Sequence, residues 1–239
     1  MPALLKRLAF QVGNSINERT CTYSSVSDDG HFISLRPLVK PYTEGEKKFP
    51  FEWAFAGLNK DVTVKKVSED EVTQDFDFWL DSNRYLNVPN THKGIVNTNW
   101  KTWESGCMKE TGTVFPFGVD KPGVEFMELW QPLDASQAEE AIAPIGGTGA
   151  KVRSIVLKAD TSKFQGLMIV VGQWIQGYLS AKGGDSIEGI SFIRAIEYGE
   201  TIFEYGTGVA KFPRTFDDVE VGSSIHLGGV GWEVIEANF

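Results

Sequence analysis

The chain alternates short apolar stretches with clusters of Gly, Asn and Asp, and within many stretches every second residue is apolar. A period of two marks strands, whose side chains point to opposite faces in turn. Residues 20–26 (TCTYSSV) and 31–35 (HFISL) flank Ser27, Asp28, Asp29 and Gly30, and the Asp-Gly step predicts a hairpin. Residues 62–67 read as an exposed edge strand whose Lys65 and Lys66 discourage pairing with another chain. Residues 153–158, 167–171, 190–196, 201–205 and 231–236 continue the pattern. Helical signals are few; the best covers 134–142 (DASQAEEAI), with Asp134 as cap and Pro144 as stop. The fold class expected is all-β, antiparallel, with few short helices.

A repeat is visible along the chain. Ile33 precedes Trp53 by 20 residues and Ile155 precedes Trp174 by 19, and each half carries late tryptophans, Trp100 and Trp103 in one and Trp232 in the other. Two divergent copies of one small β-barrel account for this spacing. Gly118, Pro122 and Gly123 interrupt regular structure between them, so an N-terminal barrel domain is expected over 1–118 and a C-terminal one over 119–239. Large apolar groups crowd that seam: Phe115, Phe117, Phe126, Leu129 and Trp130. Trp130 is the expected inter-domain anchor, since an indole packs on one body while its N–H reaches the other.

Charge narrows the partners. With 23 basic against 32 acidic side chains the formal net charge is −9, which argues against a general nucleic-acid binder. The excess lies in the second half, where 121–239 holds 9 basic and 16 acidic residues against 14 and 16 in 1–120. No apolar run reaches the roughly 20 residues of a membrane helix, so membrane insertion is not expected. The opening MPALLKRLAF lacks the continuous apolar stretch of a secretory signal. Two cysteines, Cys21 and Cys107, cannot build a disulfide framework, which points to a reducing, intracellular compartment.

No catalytic constellation emerges. His31, His92 and His226 lie far apart, with no Cys or His at metal-ligating spacing. Cys107 sits in no nucleophile elbow. The run 146–151 (GGTGAK) departs from the phosphate-binding loop because Ala150 separates Gly149 from Lys151. A non-enzymatic protein without a cofactor is expected. Aromatic residues make up 12% of the chain, and small barrels can enclose a ligand. The candidate cavity residues are Trp174, Tyr178 and Phe192, with Trp53, Phe55 and Phe78 as their first-half counterparts. Acidic segments place Asp70 three residues before Thr73 and Glu220 three before Ser223, while Ser24 stands likewise before Ser27. Ser27, Thr73 and Ser223 are therefore candidate phosphoacceptors, and Asp217, Asp218 and Glu220 a candidate surface for a basic partner.

Gly172-Gln173-Trp174 matches the Gly-x-Trp signature of lipocalin-like barrels, where it belongs to the first strand. Longer segments carry a fuller resemblance: MPALLKRL, ISLRPLVKP, FPFEWAFAG, VTQDFDFWLD, YLNVPNTHKG, ELWQPLD, RSIVLK, WIQGYLS, IEGISFIR and WEVIE. Through them the chain resembles the fungal HRI protein family from Met1 to Glu236. The resemblance implies a tandem of two lipocalin-like (calycin-like) antiparallel β-barrels and residence in cytoplasm and nucleus. It also implies association with a casein kinase I-type protein kinase and with a secretory translocation component. It carries over no catalytic or binding residue. The function expected is a non-enzymatic interaction module that binds a casein kinase I. The alternative is a carrier of a small hydrophobic ligand, lipid or haem-like, in a barrel cavity.

Overall fold

Antiparallel pairing organises almost the entire chain. The computed structural model describes residues 1–59, 65–86, 96–115, 121–145, 151–184 and 186–239, leaving the side chains of 65–66, 72–78 and 96 outside the description. One sheet contains β1 (Ala3–Val12), β2 (Ser15–Asn17), β3 (Tyr23–Val26), β4 (His31–Pro37) and β5 (Phe51–Leu58). It continues with β6 (Lys65–Lys66), β7 (Glu71–Asp81), β8 (Val96–Thr102), β9 (Met108–Val114) and β10 (Val124–Leu133). Eight of these strands follow one another in chain order, and β10 pairs back on β1 from Leu4 opposite Leu133 to Val12 opposite Phe126. The first sheet is therefore a closed barrel, which leaves those eight strands without a free edge.

The second sheet holds β11 (Ser154–Asp160), β12 (Phe164–Val171), β13 (Trp174–Ala181), β14 (Ile190–Ile196), β15 (Thr201–Tyr205), β16 (Ser224–Leu227) and β17 (Val230–Asn238). Its order is β15-β14-β13-β12-β11-β17-β16, and the two end strands do not pair with each other. Two antiparallel β units stand as expected, and the second is an open, curled half-barrel. The segment between β15 and β16 does not form a closing strand; it places Phe212, Phe216 and Val219 in a core with Trp232, plugging the concave face. The change from one sheet to the other also falls within 134–153 and not at 118/119, because β10 completes the first barrel.

The apparent repeat dissolves in the topology. Ile33 and Trp53 lie on neighbouring strands β4 and β5, whereas β12 separates the strands of Ile155 and Trp174. Segment 134–142 is not helical. The Asp134 carboxylate accepts from Ser136 N at 3.1 Å and from its hydroxyl at 2.6 Å, and the carbonyl of buried Ala135 accepts from Gln173 N at 2.9 Å. Local side-chain bonds to the backbone compete with helix and win here. Short helices stand instead at Glu44–Lys48, where Thr43 and Glu46 form a capping box, and at Ser82–Tyr85, capped by Asp81. Of the edge strand expected at 62–67, Lys65 and Lys66 are paired with β7, and 61–64 lie outside the described residues.

The two sheets share one core. Ile33 and Leu35 of β4 and Phe51, Ala54 and Ala56 of β5 pack with Val156, Ile169, Tyr178 and Phe192 of the second sheet in a single buried cluster. Polar keys cross the same boundary. Gln176 donates to Ser25 Oγ at 3.0 Å, and Arg194 donates to the carbonyls of Cys21 (2.9 Å) and Leu35 (3.0 Å). Burial holds the Arg194 guanidinium at about 10, below its ordinary value. β4 is thus covered on both faces, its alternate residues Phe32, Ser34 and Arg36 turning into the barrel.

Candidate functional site: the barrel cavity

Closing eight strands around inward-facing side chains leaves a cavity of ≈ 1620 Å³ in the first barrel. Ordinary ligand pockets span about 300–1,000 Å³. Strand alternation builds its wall from Phe32 and Arg36 on β4, Trp53 and Phe55 on β5, Trp100 on β8 and Phe126 and Trp130 on β10. Trp53 lies tilted against Phe55 with ring centroids 4.1 Å apart, and Trp100 stacks on Trp130 at 6.2 Å. An aromatic lining of this kind gives apolar area with little rotamer freedom to lose.

Charge is embedded in that wall. Arg36 forks onto Glu128, Nη1 to Oε1 at 2.6 Å and Nη2 to Oε2 at 3.1 Å, while its guanidinium lies 5.2 Å from the Trp53 ring and 5.0 Å from Phe55. Arg7 donates to the same Glu128 Oε1 at 2.8 Å, to Glu18 Oε2 at 2.7 Å and to Glu52 Oε2 at 2.7 Å. Burial pulls the Arg7 proton affinity down, but Glu128, Glu18 and Glu52 outweigh it and the net direction is up. These charges are affordable inside the fold because each is paired.

Glu110 stands directly across the ladder from Glu128 and beside Trp100. It accepts from Trp130 Nε1 at 2.9 Å. Burial, reinforced by the Glu128 carboxylate, pushes Glu110 up to about 8, against a smaller opposing pull from Arg36. Both effects favour the protonated form of Glu110 over its carboxylate.

A second polar cluster joins the sheets. Glu236 Oε2 accepts from the Ser27 hydroxyl at 2.7 Å and meets His31 Nδ1 at 3.3 Å, and Oε1 accepts from Ser154 Oγ at 2.7 Å and Asp28 N at 2.9 Å. Burial raises Glu236, but the bonds from His31, Ser154, Ser27 and Asp28 overcome this and hold it at about 2. Serine, histidine and carboxylate meet here without forming a relay: serine and histidine both address one carboxylate oxygen, so the histidine does not stand between them. The cluster is a clasp between sheets.

The sequence-predicted residues separate sharply. Trp53 and Phe55 line the cavity as expected. Phe78 pairs through its backbone with Gly57, and its side chain lies outside the described residues. Trp174, Tyr178 and Phe192 do not line the barrel cavity; they are buried in the core between sheets, with Trp174 stacked on Tyr23 at 5.5 Å and bordering a separate, smaller pocket of ≈ 310 Å³. Trp130 in turn is no inter-domain anchor, since its indole faces the interior of the first barrel and bonds Glu110 on the adjacent strand. The two tryptophans have exchanged the roles assigned to them. Ser27 is corrected as a phosphoacceptor because its hydroxyl is buried and engaged by Glu236. Ser223 is exposed, and the Thr73 side chain lies outside the described residues. Asp217, Asp218 and Glu220 are exposed on a loop pinned by buried Phe216 and Val219. Neither His31 nor His226 lines the cavity, and His92 lies outside the described residues. Among the described residues no cluster of His, Cys, Asp and Glu is arranged to hold a metal ion, and no helix is long and apolar enough to cross a membrane.

The site residues missed from sequence are Arg7, Arg36, Trp100, Glu110 and Glu128. A signal existed in Phe126, Glu128 and Trp130, a charge placed in phase with aromatics at every second position.

Comparisons with known proteins place this architecture. A family model described as Protein HRI1 matches residues 3–236. A relative of that name from Vanderwaltozyma polyspora is 56% identical over 243 residues, covering 100% of both chains. One from Saccharomyces cerevisiae is 54% identical and covers 99% of each. The crystal structure of an uncharacterized Saccharomyces cerevisiae protein superposes with a TM-score of 0.92 at 53% identity, covering 100% of both chains. With its whole length matched in sequence and in fold, this chain belongs to the Protein HRI1 family.

Proposed function

We propose that this protein binds a small apolar molecule inside its first barrel and acts without catalysis of its own. The observation that carries the reading is the cavity of ≈ 1620 Å³, walled by Trp53, Phe55, Trp100 and Trp130 around an internally paired charge cluster. Such a site holds its occupant by apolar burial, about 25 cal/mol per Å² removed from water, and orients it with few polar groups. Native mass spectrometry of protein purified from its own host tests this directly, together with quenching of cavity tryptophans by an apolar dye. A bound mass, or saturable quenching lost in Trp53→Ala, supports the reading. A ligand-free spectrum with no saturable quenching overturns it.

A second reading is favoured by one observation, the exposed triplet Asp217, Asp218 and Glu220 beside buried Phe216 and Val219. With the family resemblance, it supports docking to a basic face of a casein kinase I-type kinase in cytoplasm or nucleus, with the secretory translocation component as a further partner. Binding to the kinase that weakens in rising salt and on neutralising the triplet supports this. Affinity indifferent to both removes it.

A further inference from the structure

Given the ligand-binding reading above, the charge pattern of the cavity wall names the group its occupant carries. The carboxylates around the wall have basic partners. Glu18 and Glu52 each meet Arg7 at 2.7 Å, and Glu128 meets Arg7 at 2.8 Å and Arg36 at 2.6 Å. Asp81 stands 3.8 Å from Arg84. Glu110 is the exception: it has no ion pair among the described residues, although it is 6% exposed and stands opposite Glu128 in the ladder. A buried carboxyl must be matched by a cation or kept neutral.

The hydrogen bonds around Glu110 suit its ionised form. Trp130 Nε1 donates to Oε2 at 2.9 Å, and an indole N–H can only donate. Thr98 supplies a second bond. Its hydroxyl oxygen accepts from Trp100 Nε1 at 2.8 Å, which leaves its O–H to give. Two stacked tryptophans thus aim donors at one carboxyl, Trp130 directly and Trp100 through a hydroxyl. The wall prepares a carboxylate for a positive charge that none of the described residues supplies within ion-pairing distance.

The same wall shows how it seats a cation. The Arg36 guanidinium lies 5.2 Å from Trp53, 5.0 Å from Phe55 and 6.0 Å from Trp130 while forked onto Glu128. Cation, aromatic faces and carboxylate are combined there. Trp100, Glu110 and Trp130, adjacent on β8, β9 and β10, repeat the rings and the carboxylate. We infer that the barrel takes an organic amine, its ammonium beside Glu110 and the Trp100–Trp130 pair and its apolar body against Trp53, Phe55 and Phe126. Burial beside Glu128 favours the protonated form of Glu110, and an ammonium alongside reverses that balance. Arg7 and Arg36 raise no positive barrier, since these two guanidinium groups meet three carboxylates, Glu18, Glu52 and Glu128. An anionic ligand would face that excess. Glu69, Asp70 and Glu125 are exposed and line the same cavity, so the approach carries the same sign.

Three fluorescent probes of matched ring and chain length test this with the full-length protein at neutral pH: naphthylethylamine, naphthylethanol and naphthylethanesulfonate. The amine should bind about tenfold or more tighter than the alcohol, and the sulfonate should bind weakest. Glu110→Gln keeps the shape and removes the charge; it should bring the amine down to the alcohol's affinity and leave the alcohol's unchanged. Nuclear Overhauser contacts in the unaltered protein guard against a variant that fails to fold: the methylene beside the ammonium should meet the indole protons of Trp100 and Trp130. An amine bound no tighter than the alcohol or the sulfonate, a preference that survives Glu110→Gln, or methylene contacts elsewhere overturns the inference while leaving the ligand-binding reading standing. Failure of all three probes to bind overturns both.

Discussion

Trp174→Ala and Trp130→Ala should both destabilise the fold while only Trp130→Ala weakens binding of an apolar probe, and the reason lies in what surrounds each ring. Trp174 is 4% exposed, stacks on Tyr23 across the sheet boundary with an interplanar angle of 19°, and donates to the Gln137 carbonyl at 2.9 Å. Gln137 is exposed, so water replaces that bond at little cost. The loss is dominated by apolar transfer plus the void left in a packed core, about 3–5 kcal/mol for such a replacement. Trp130→Ala removes an equally buried indole, but its ring borders space that is already open. The transfer loss there is roughly 1.5–3 kcal/mol, and the buried Glu110 carboxyl also loses its Trp130 Nε1 donor, about 1–3 kcal/mol more. In urea unfolding each replacement should lower the midpoint by roughly 1–2 M. Affinity for an apolar probe should separate the two, falling for Trp130→Ala and holding for Trp174→Ala at temperatures where both are folded. A Trp130→Ala protein that keeps full probe affinity while Trp174→Ala loses it would refute this assignment of roles.

Acid stability should depend on the inter-sheet clasp: Glu236 is held at about 2, so its contribution is complete above the ordinary carboxylate range and is lost as pH falls toward 2. Melting temperatures across a pH series should therefore drop less steeply at the acid end in Glu236→Gln, from a lower neutral value. Ser27→Glu puts a second carboxylate against Glu236 and should cost about 3 kcal/mol or more; a folded, fully stable variant would show that the clasp tolerates charge. Treatment with an acidophilic kinase should modify Ser223 and spare Ser27, as phosphopeptide mapping would show. Gly172→Ala should be strongly destabilising in thermal melts, since residue 172 sits at φ +57 and an added Cβ would lie 2.0 Å from the Ala135 carbonyl oxygen.

The all-β class was legible because strands declare themselves locally, by a period of two and by turn residues such as Asp29 and Gly30. The face a strand presents is also local, but what lies beyond that face is not. Trp53 and Trp174 have similar neighbours in sequence, and only the pairing of β10 with β1 decides that one looks into a cavity and the other onto a second sheet. Closure of the first barrel rests on contacts between residues more than a hundred positions apart, Leu4 with Leu133 among them, while the second sheet stays open between β15 and β16. The buried charges were hidden for a related reason. Arg7 and Glu128 are ordinary surface residues to any short window, and become a site when β1 meets β10. The helix expected at 134–142 shows the converse, with weak local propensity losing to Ser136 and Gln173 as hydrogen-bond donors.

β4 has no outside. Ile33 and Leu35 belong to the joint between sheets, while Phe32, Ser34 and Arg36 belong to the chamber. Consecutive codons in this strand therefore answer to different demands, one to the integrity of the whole molecule and the next to the lining of the chamber. Change in that lining has a narrow path along β4: it can proceed through the even-numbered positions while the odd-numbered ones stay fixed. An insertion of a single residue would exchange the two sets and forfeit both properties at once.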